Sequence, residues 1–357
     1  MKPITFLVLM LTIIAGCKRG SNAVAIRDFS KTLQPYLVKV VSTGIVSYAG
    51  EISIKQHATD KELEQLSRSE SPVLRAVALR NMLKRPSFNH YEVVMTHLDD
   101  TAIVFVDHGE WGIKYEMVSD DMLMNSMWKD TATKIKVIGE IVLKHNFLGQ
   151  ACRKASYLPA KEEYYKSIRE MALKTPGDEN VNDKNFEERE DALYALARYK
   201  KKEDIANIKE ILEGRCWRMS DASFDLMSRY RDTNYLSVYE KYYGYYFYSN
   251  VCDNWGHSVN KACSFISSLA TYKSERSAKI LMAILNKKPF VPCRCDVSTL
   301  ERTLAHAIND NMCEAYKGMT EKANKILEEE KKNTSTITSD QSFETIKYPK
   351  LEEPIRW

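Results

Sequence analysis

Asp99, Asp100, Asp107, His108 and Glu110 are the densest group of acids around a histidine in this chain. Carboxylates beside an imidazole can hold a divalent cation or share a proton. The same residues have a simpler use, in which Asp99 and Asp100 end a helix and His108-Gly109 lies in the loop beyond. Cys293, Cys295, His306 and Cys313 offer four soft ligands suited to zinc, although their spacing matches no strong zinc pattern. Beyond Cys17 there are seven cysteines, an odd number for intramolecular pairing. Cys252 and Cys263 flank an Asn- and Gly-containing loop and are candidates for one bridge, and Cys293 or Cys295 can equally pair with Cys313. No H-E-x-x-H helix, G-x-S-x-G elbow or Gly-Lys-Ser/Thr phosphate loop occurs. No cofactor is implied.

The most unusual local feature is aromatic. Tyr235, Tyr239, Tyr242, Tyr243, Tyr245, Tyr246, Phe247 and Tyr248 crowd one short stretch. Tyr235, Tyr239, Tyr242 and Tyr246 follow helical spacing and can pack as one stripe against a neighbour. All eight, Tyr243 and Phe247 foremost, are candidates for contact with a peptide, protein or glycan, because large rings bury much area at little entropic cost. Both uses, core and contact, stay open from the sequence.

These residues must be positioned by regular elements, and composition says of which kind. The chain has 357 residues with only 13 Gly and 10 Pro, 44% hydrophobic and 28% charged residues. That excludes global disorder and favours long helices over a loop-rich sandwich. A net charge of +4 is too slight to name nucleic acid as the partner.

Apolar spacing supplies the elements. Phe29, Leu33, Tyr36, Leu37 and Val40 recur at helical intervals, with Gly44 as the stop. Thr59-Asp60 followed by Glu62 marks a helix start. After Ser71-Pro72, with Ser71 as candidate cap, Val73, Ala76, Leu79, Met82 and Leu83 form a stripe. A second helix follows from Asn89 with Val93, Val94, His97 and Leu98, so the pair predicts a helical hairpin. The pattern returns in 190–213 and in 263–286. At an offset of about 73, Leu196-Ala197-Arg198-Tyr199-Lys200 falls on Leu269-Ala270-Thr271-Tyr272-Lys273, and Ile211-Leu212 on Ile284-Leu285. At an offset of about 114, Leu79, Met82 and Leu83 fall on Leu193, Leu196 and Ala197. One hairpin cannot bury two stripes alone, but stacked neighbours can. Residues 101–117 interrupt this pattern and read as a strand hairpin or as a helix and loop. Residues 175–185 read as a polar break.

The expected fold is therefore all-α, an α/α superhelix of stacked amphipathic hairpins with a small irregular or β insertion near 101–117. On these stripes and turns, with Arg75 and Asp99-Asp100 in the first unit, the body over about 60–320 resembles degenerate HEAT-like repeat proteins. The N-terminus carries a second resemblance. Lys2, the apolar run Phe6–Ile14 and the small residues of Ile14-Ala15-Gly16-Cys17 resemble a bacterial lipoprotein signal with its lipobox.

That resemblance implies removal of 1–16, diacylglycerol on Cys17, and a polar tether over 17–25. The helical body then spans 26–320, and 321–357 is a helix end with an extended tail. Lys18 after the cysteine implies the outer membrane facing the periplasm, with surface display as the alternative. The function expected from these readings is a lipid-anchored cell-envelope scaffold that binds another protein, such as an assembly factor or an immunity protein. Its membrane contact is the N-terminal lipid. The alternatives are a metal- or thiol-dependent envelope hydrolase and a glycan-binding module.

Overall fold

Ser47, Thr59, Asn89, Asp130 and Ser220 cap helix starts with their side chains, and residues of positive φ follow three helix ends, at Gly44, Lys200 and Lys273. The computed structural model describes residues 26–128, 130–174, 184–214, 219–248, 259–286 and 297–337. Side chains are described for all of these except 184–188, 245–248, 259, 297, 298 and 333–337. The chain divides into two compact units, Met1–Leu158 and Pro159–Trp357. The described residues are overwhelmingly helical, with one three-stranded sheet. No helix among them is long and apolar enough to cross a membrane.

In the first unit, α1 (Gln34–Thr43) accommodates Pro35 in its first turn and stops at Gly44. Gly44 has φ +65°, and its N–H bonds to the Val40 carbonyl. The two-residue strand β1 (Ile45–Val46) follows, then α2 (Tyr48–His57), whose cap Ser47 accepts the Gly50 amide.

Helix α3 (Asp60–Leu66) begins at the start expected from Thr59-Asp60 and Glu62, and the structure shows that start to be a capping box. Glu62 Oε2 accepts from Thr59 N at 2.8 Å and Oε1 from Ser30 N at 3.0 Å. Burial works against ionisation of this carboxyl. The hydrogen bonds from Thr59 and Ser30 outweigh it and bring the pKa down to about 2.

Helix α4 (Pro72–Met82) starts at its proline, but the Ser71 side chain makes no capping bond. Here α4 differs from a one-stripe helix: Leu74, Val77, Ala78, Arg80 and Asn81 are buried along with the predicted Val73, Ala76, Leu79 and Met82. The reason is its surroundings. Helices α1, α2 and α3, α5 (His90–His97), α6 (Val118–Met124) and strands β1 and β2 (Ile103–Asp107) all pack on it. Beyond α6 lie α7 (Thr131–Lys144) and α8 (Gly149–Lys154).

The interruption at 101–117 is a strand hairpin. Strand β2 is central, parallel to β1 and antiparallel to β3 (Ile113–Met117). The turn between β2 and β3 uses Gly109 at φ +66° and Gly112 at φ +75°, where a side chain would strain the backbone.

The second unit contains α9 (Glu162–Leu173), α10 (Lys184–Ala197), α11 (Lys202–Gly214), α12 (Asp221–Arg229), α13 (Leu236–Tyr248), α14 (Val259–Ala270), α15 (Glu275–Asn286), α16 (Val297–Asp310) and α17 (Lys317–Ile337). Contacts run in two series. Helices α9, α10, α12, α14, α16 and α17 pack each on the next, and so do α11, α13 and α15.

Two of its turns match in detail. Lys200 and Lys273, aligned by the sequence offset, are the two non-glycine residues with positive φ among the described residues, at 54° and 49°. Tyr199 N bonds to Leu196 O and Tyr272 N to Leu269 O, both at 3.1 Å. Each tyrosine hydroxyl then donates to a carbonyl of an earlier segment, Lys161 O and Met227 O respectively, at 2.8 Å in both cases.

Candidate functional site

Strand alternation decides which side chains of the β2–β3 hairpin meet solvent. The register pairs Ile103 with Met117, Phe105 with Tyr115 and Asp107 with Ile113 on one face; Ile45 of β1 extends the Phe105–Tyr115 row. On that face Ile103, Phe105, Ile113 and Tyr115 are 53%, 54%, 56% and 58% exposed. Trp111, in the turn of the same hairpin, is 77% exposed. Together these five side chains present on the order of 600 Å². Patches of that size lie at the upper end for monomers and are often binding surfaces. Asp107 and Glu110 are also exposed at the turn. One Asp107 oxygen accepts the Gly109 amide at 2.9 Å, which fixes the carboxylate.

The opposite face is anchored by apolar and charged groups. Val104, Val106 and Glu116 are buried. His108 Nε2 lies 3.1 Å from Glu116 Oε1 and ties the turn to β3. Beneath them Arg80 grips Asp121 through both carboxylate oxygens, with Nε–Oδ2 at 2.8 Å. Its Nη1 also reaches Glu51 Oε2 at 3.3 Å, and Lys84 pairs with the other Glu51 oxygen.

Burial pushes the Asp121 pKa up, Arg80 opposes that rise, and the nearby charge of Glu116 adds to it. Burial alone would depress Arg80, but hydrogen bonds and attraction from Asp121 and Glu51 turn its shift upward. The network joins α2, α4 and α6 under the hairpin. Its groups are engaged with one another, so it is a rigid support for the sheet.

The sequence candidates fall differently. Asp100 holds Arg75 through two bonds, Nε–Oδ2 at 2.6 Å and Nη2–Oδ1 at 2.9 Å. Asp99 lies 3.3 Å from His145 Nδ1 without hydrogen-bond alignment. The acid–histidine group is thus divided among separate contacts.

Tyr235, Tyr239 and Tyr242 are buried, which corrects their reading as contact residues. The rings of Tyr242, Phe224 and Phe265 lie 5.0–5.8 Å apart, and Tyr239 joins them 5.6 Å from Phe265. Ser268 Oγ gives its proton to Phe224 O at 2.7 Å, so Tyr239 Oη is the donor in its own bond to Ser268. The helical stripe is therefore core, for the reason its spacing allows. Tyr243 is half-buried. The side chains of Tyr245, Tyr246, Phe247 and Tyr248 lie outside the described residues.

Cys17, Cys252, Cys293 and Cys295 also lie outside them, as do 175–183 and the tail from 338. Cys263 Sγ accepts from Thr303 Oγ1 at 3.2 Å. His306 Nε2 lies 3.5 Å from Glu330 Oε2, and Cys313 precedes the short turn Glu314–Tyr316. Among the described residues no group of three or more His, Cys, Asp or Glu side chains is placed to hold a metal ion.

The exposed hairpin face is what sequence reasoning missed. Its signal was the alternation through Ile103, Phe105 and Asp107, and through Ile113, Tyr115 and Met117, around a Gly-containing turn. No protein-family model, curated protein or solved structure matches the chain.

Proposed function

We propose that this chain is a lipid-anchored cell-envelope adaptor that binds another protein non-covalently, and that its second unit is an α/α superhelix of HEAT-like hairpins. The observation that carries the binding reading is the apolar strand face of Ile103, Phe105, Ile113 and Tyr115, with Trp111 in the turn, held on a rigid buried support. Aromatic side chains in such a patch are the residues that carry binding energy at interfaces.

The superhelix reading is supported by the two contact series and by the matched turns at Lys200 and Lys273. Lipid anchoring rests on Ile14-Ala15-Gly16-Cys17 and the polar residues after it, with the outer membrane facing the periplasm as the location. The dispersal of the acid–histidine group favours recognition over hydrolysis.

The test uses the full chain in its native cells. Cys17→Ser moves it from the membrane to the soluble fraction if the anchor reading holds. A partner recovered in stoichiometric amount with the wild type and lost with Phe105→Ser supports the adaptor reading. A partner retained by that variant contradicts it.

A further inference from the structure

The exposed face of the hairpin is polarised. Ile103, Phe105 and Tyr115 occupy most of its length. At the turn end stands Asp107, on the same face by alternation and opposite Ile113, with Glu110 beside Trp111. Lys114 is exposed as well, but it pairs across with Val106 and so belongs to the other side of the strand. The ionisable side chains at the turn end of this face are thus carboxylates next to an exposed indole. The Asp107 carboxylate is pre-set by its bond from the Gly109 amide.

We infer that this face takes an apolar protein segment carrying a lysine or arginine at the end that meets Asp107 and Glu110. The inference rests on the binding reading above and names the chemistry of the partner. A cation there finds two carboxylates beside the exposed indole of Trp111, groups that attract ammonium and guanidinium ions. Charge complementarity at an interface rim sets register and partner choice.

The same carboxylates argue against a bilayer as the occupant. Inserting Trp111 into a headgroup layer would carry Glu110 with it, and anionic lipids recruit basic surfaces.

The experiment pans a random peptide library against the full chain immobilised through its C-terminus. The expected peptides combine apolar residues with Lys or Arg at one end. They bind at least tenfold more weakly to Trp111→Ala and to the double variant Asp107→Asn with Glu110→Gln. The asparagine keeps an oxygen for the Gly109 amide, so that variant removes charge without undoing the turn.

Peptides that need Trp111 but ignore the double variant overturn the basic-end inference and leave the adaptor reading standing. Peptides that ignore both Phe105→Ser and Trp111→Ala, or the recovery of none, overturn both. A blue shift of Trp111 fluorescence on adding phosphatidylethanolamine–phosphatidylglycerol vesicles, absent in Trp111→Phe, assigns the face to a membrane and overturns the inference.

Discussion

The aromatic clusters of the two units are placed in opposite ways. In the second unit Phe224, Tyr239, Tyr242 and Phe265 are packed ring against ring inside the helix layers. In the first unit Phe105, Trp111 and Tyr115 face solvent, while Arg80, Asp121 and Glu51 are buried beneath them. Aromatic content therefore does not mark a binding surface; the element that carries it does. A helix between two neighbours places a ring stripe inside. A strand of a small sheet covered on one side presents its other face outward, and here that face is apolar. Burying an ion network is costly, and its value is the fixed geometry it gives the hairpin above.

The largest effect expected from this comparison is in the buried charges. Asp121→Ala leaves the buried Arg80 guanidinium with only its longer contact to Glu51 and should cost about 3–5 kcal/mol. The loss should appear in urea unfolding followed by hydrogen exchange of first-unit amides. A loss below ~1 kcal/mol would mean that the network does not support the unit.

Next comes Tyr239→Ala, which opens a cavity among Phe224, Phe265 and Tyr272 and should cost about 3–4 kcal/mol in the second unit. Tyr239→Phe keeps the ring and loses the hydroxyl's bond to Ser268, about 1 kcal/mol.

Glu62→Gln is expected to cost on the order of 2 kcal/mol at neutral pH. The folded-state pKa of about 2 lies below the ordinary 4.5, so this stabilisation is full above pH 4.5 and fades as pH falls from there toward 2. Urea midpoints measured from pH 7 to pH 2 should converge for wild type and Glu62→Gln. Parallel curves would contradict the assignment.

The smallest stability effect is expected where the binding effect is largest. Trp111→Ala should change unfolding by less than about 0.5 kcal/mol, because an exposed side chain leaves no cavity. If it costs as much as Tyr239→Ala, the contrast between the units fails.

Much of the helical framework was legible in sequence. The helix start at Thr59-Asp60, the Pro72 start, the Gly44 stop and the Lys200–Lys273 alignment all express local chemistry. The all-α class and an irregular or β insertion near 101–117 followed from composition and from the break in helical spacing; that the insertion is a strand hairpin came from the structure.

What local chemistry does not carry is the surroundings. Val104 and Val106 are as apolar as Ile103 and Phe105, so alternation alone leaves open which face of β2 is covered. The deciding factor is α4, which packs on β2 and was itself read as a one-stripe helix. The Arg80–Asp121 pair spans 41 positions, and the charges look like solvated ones in sequence until the fold joins them. The tyrosine stripe had the spacing of a packed helix, and its exceptional density drew attention away from the sparser aromatics of the hairpin.

The adaptor account is tested most directly by placing a photo-reactive phenylalanine analogue at position 115, and in parallel at position 243, in the full chain in its native cells. An adduct with a protein from position 115, lost when Trp111→Ala is added, is the predicted result. An adduct from position 243 and none from position 115 would contradict it and return the binding surface to the tyrosine-rich helix.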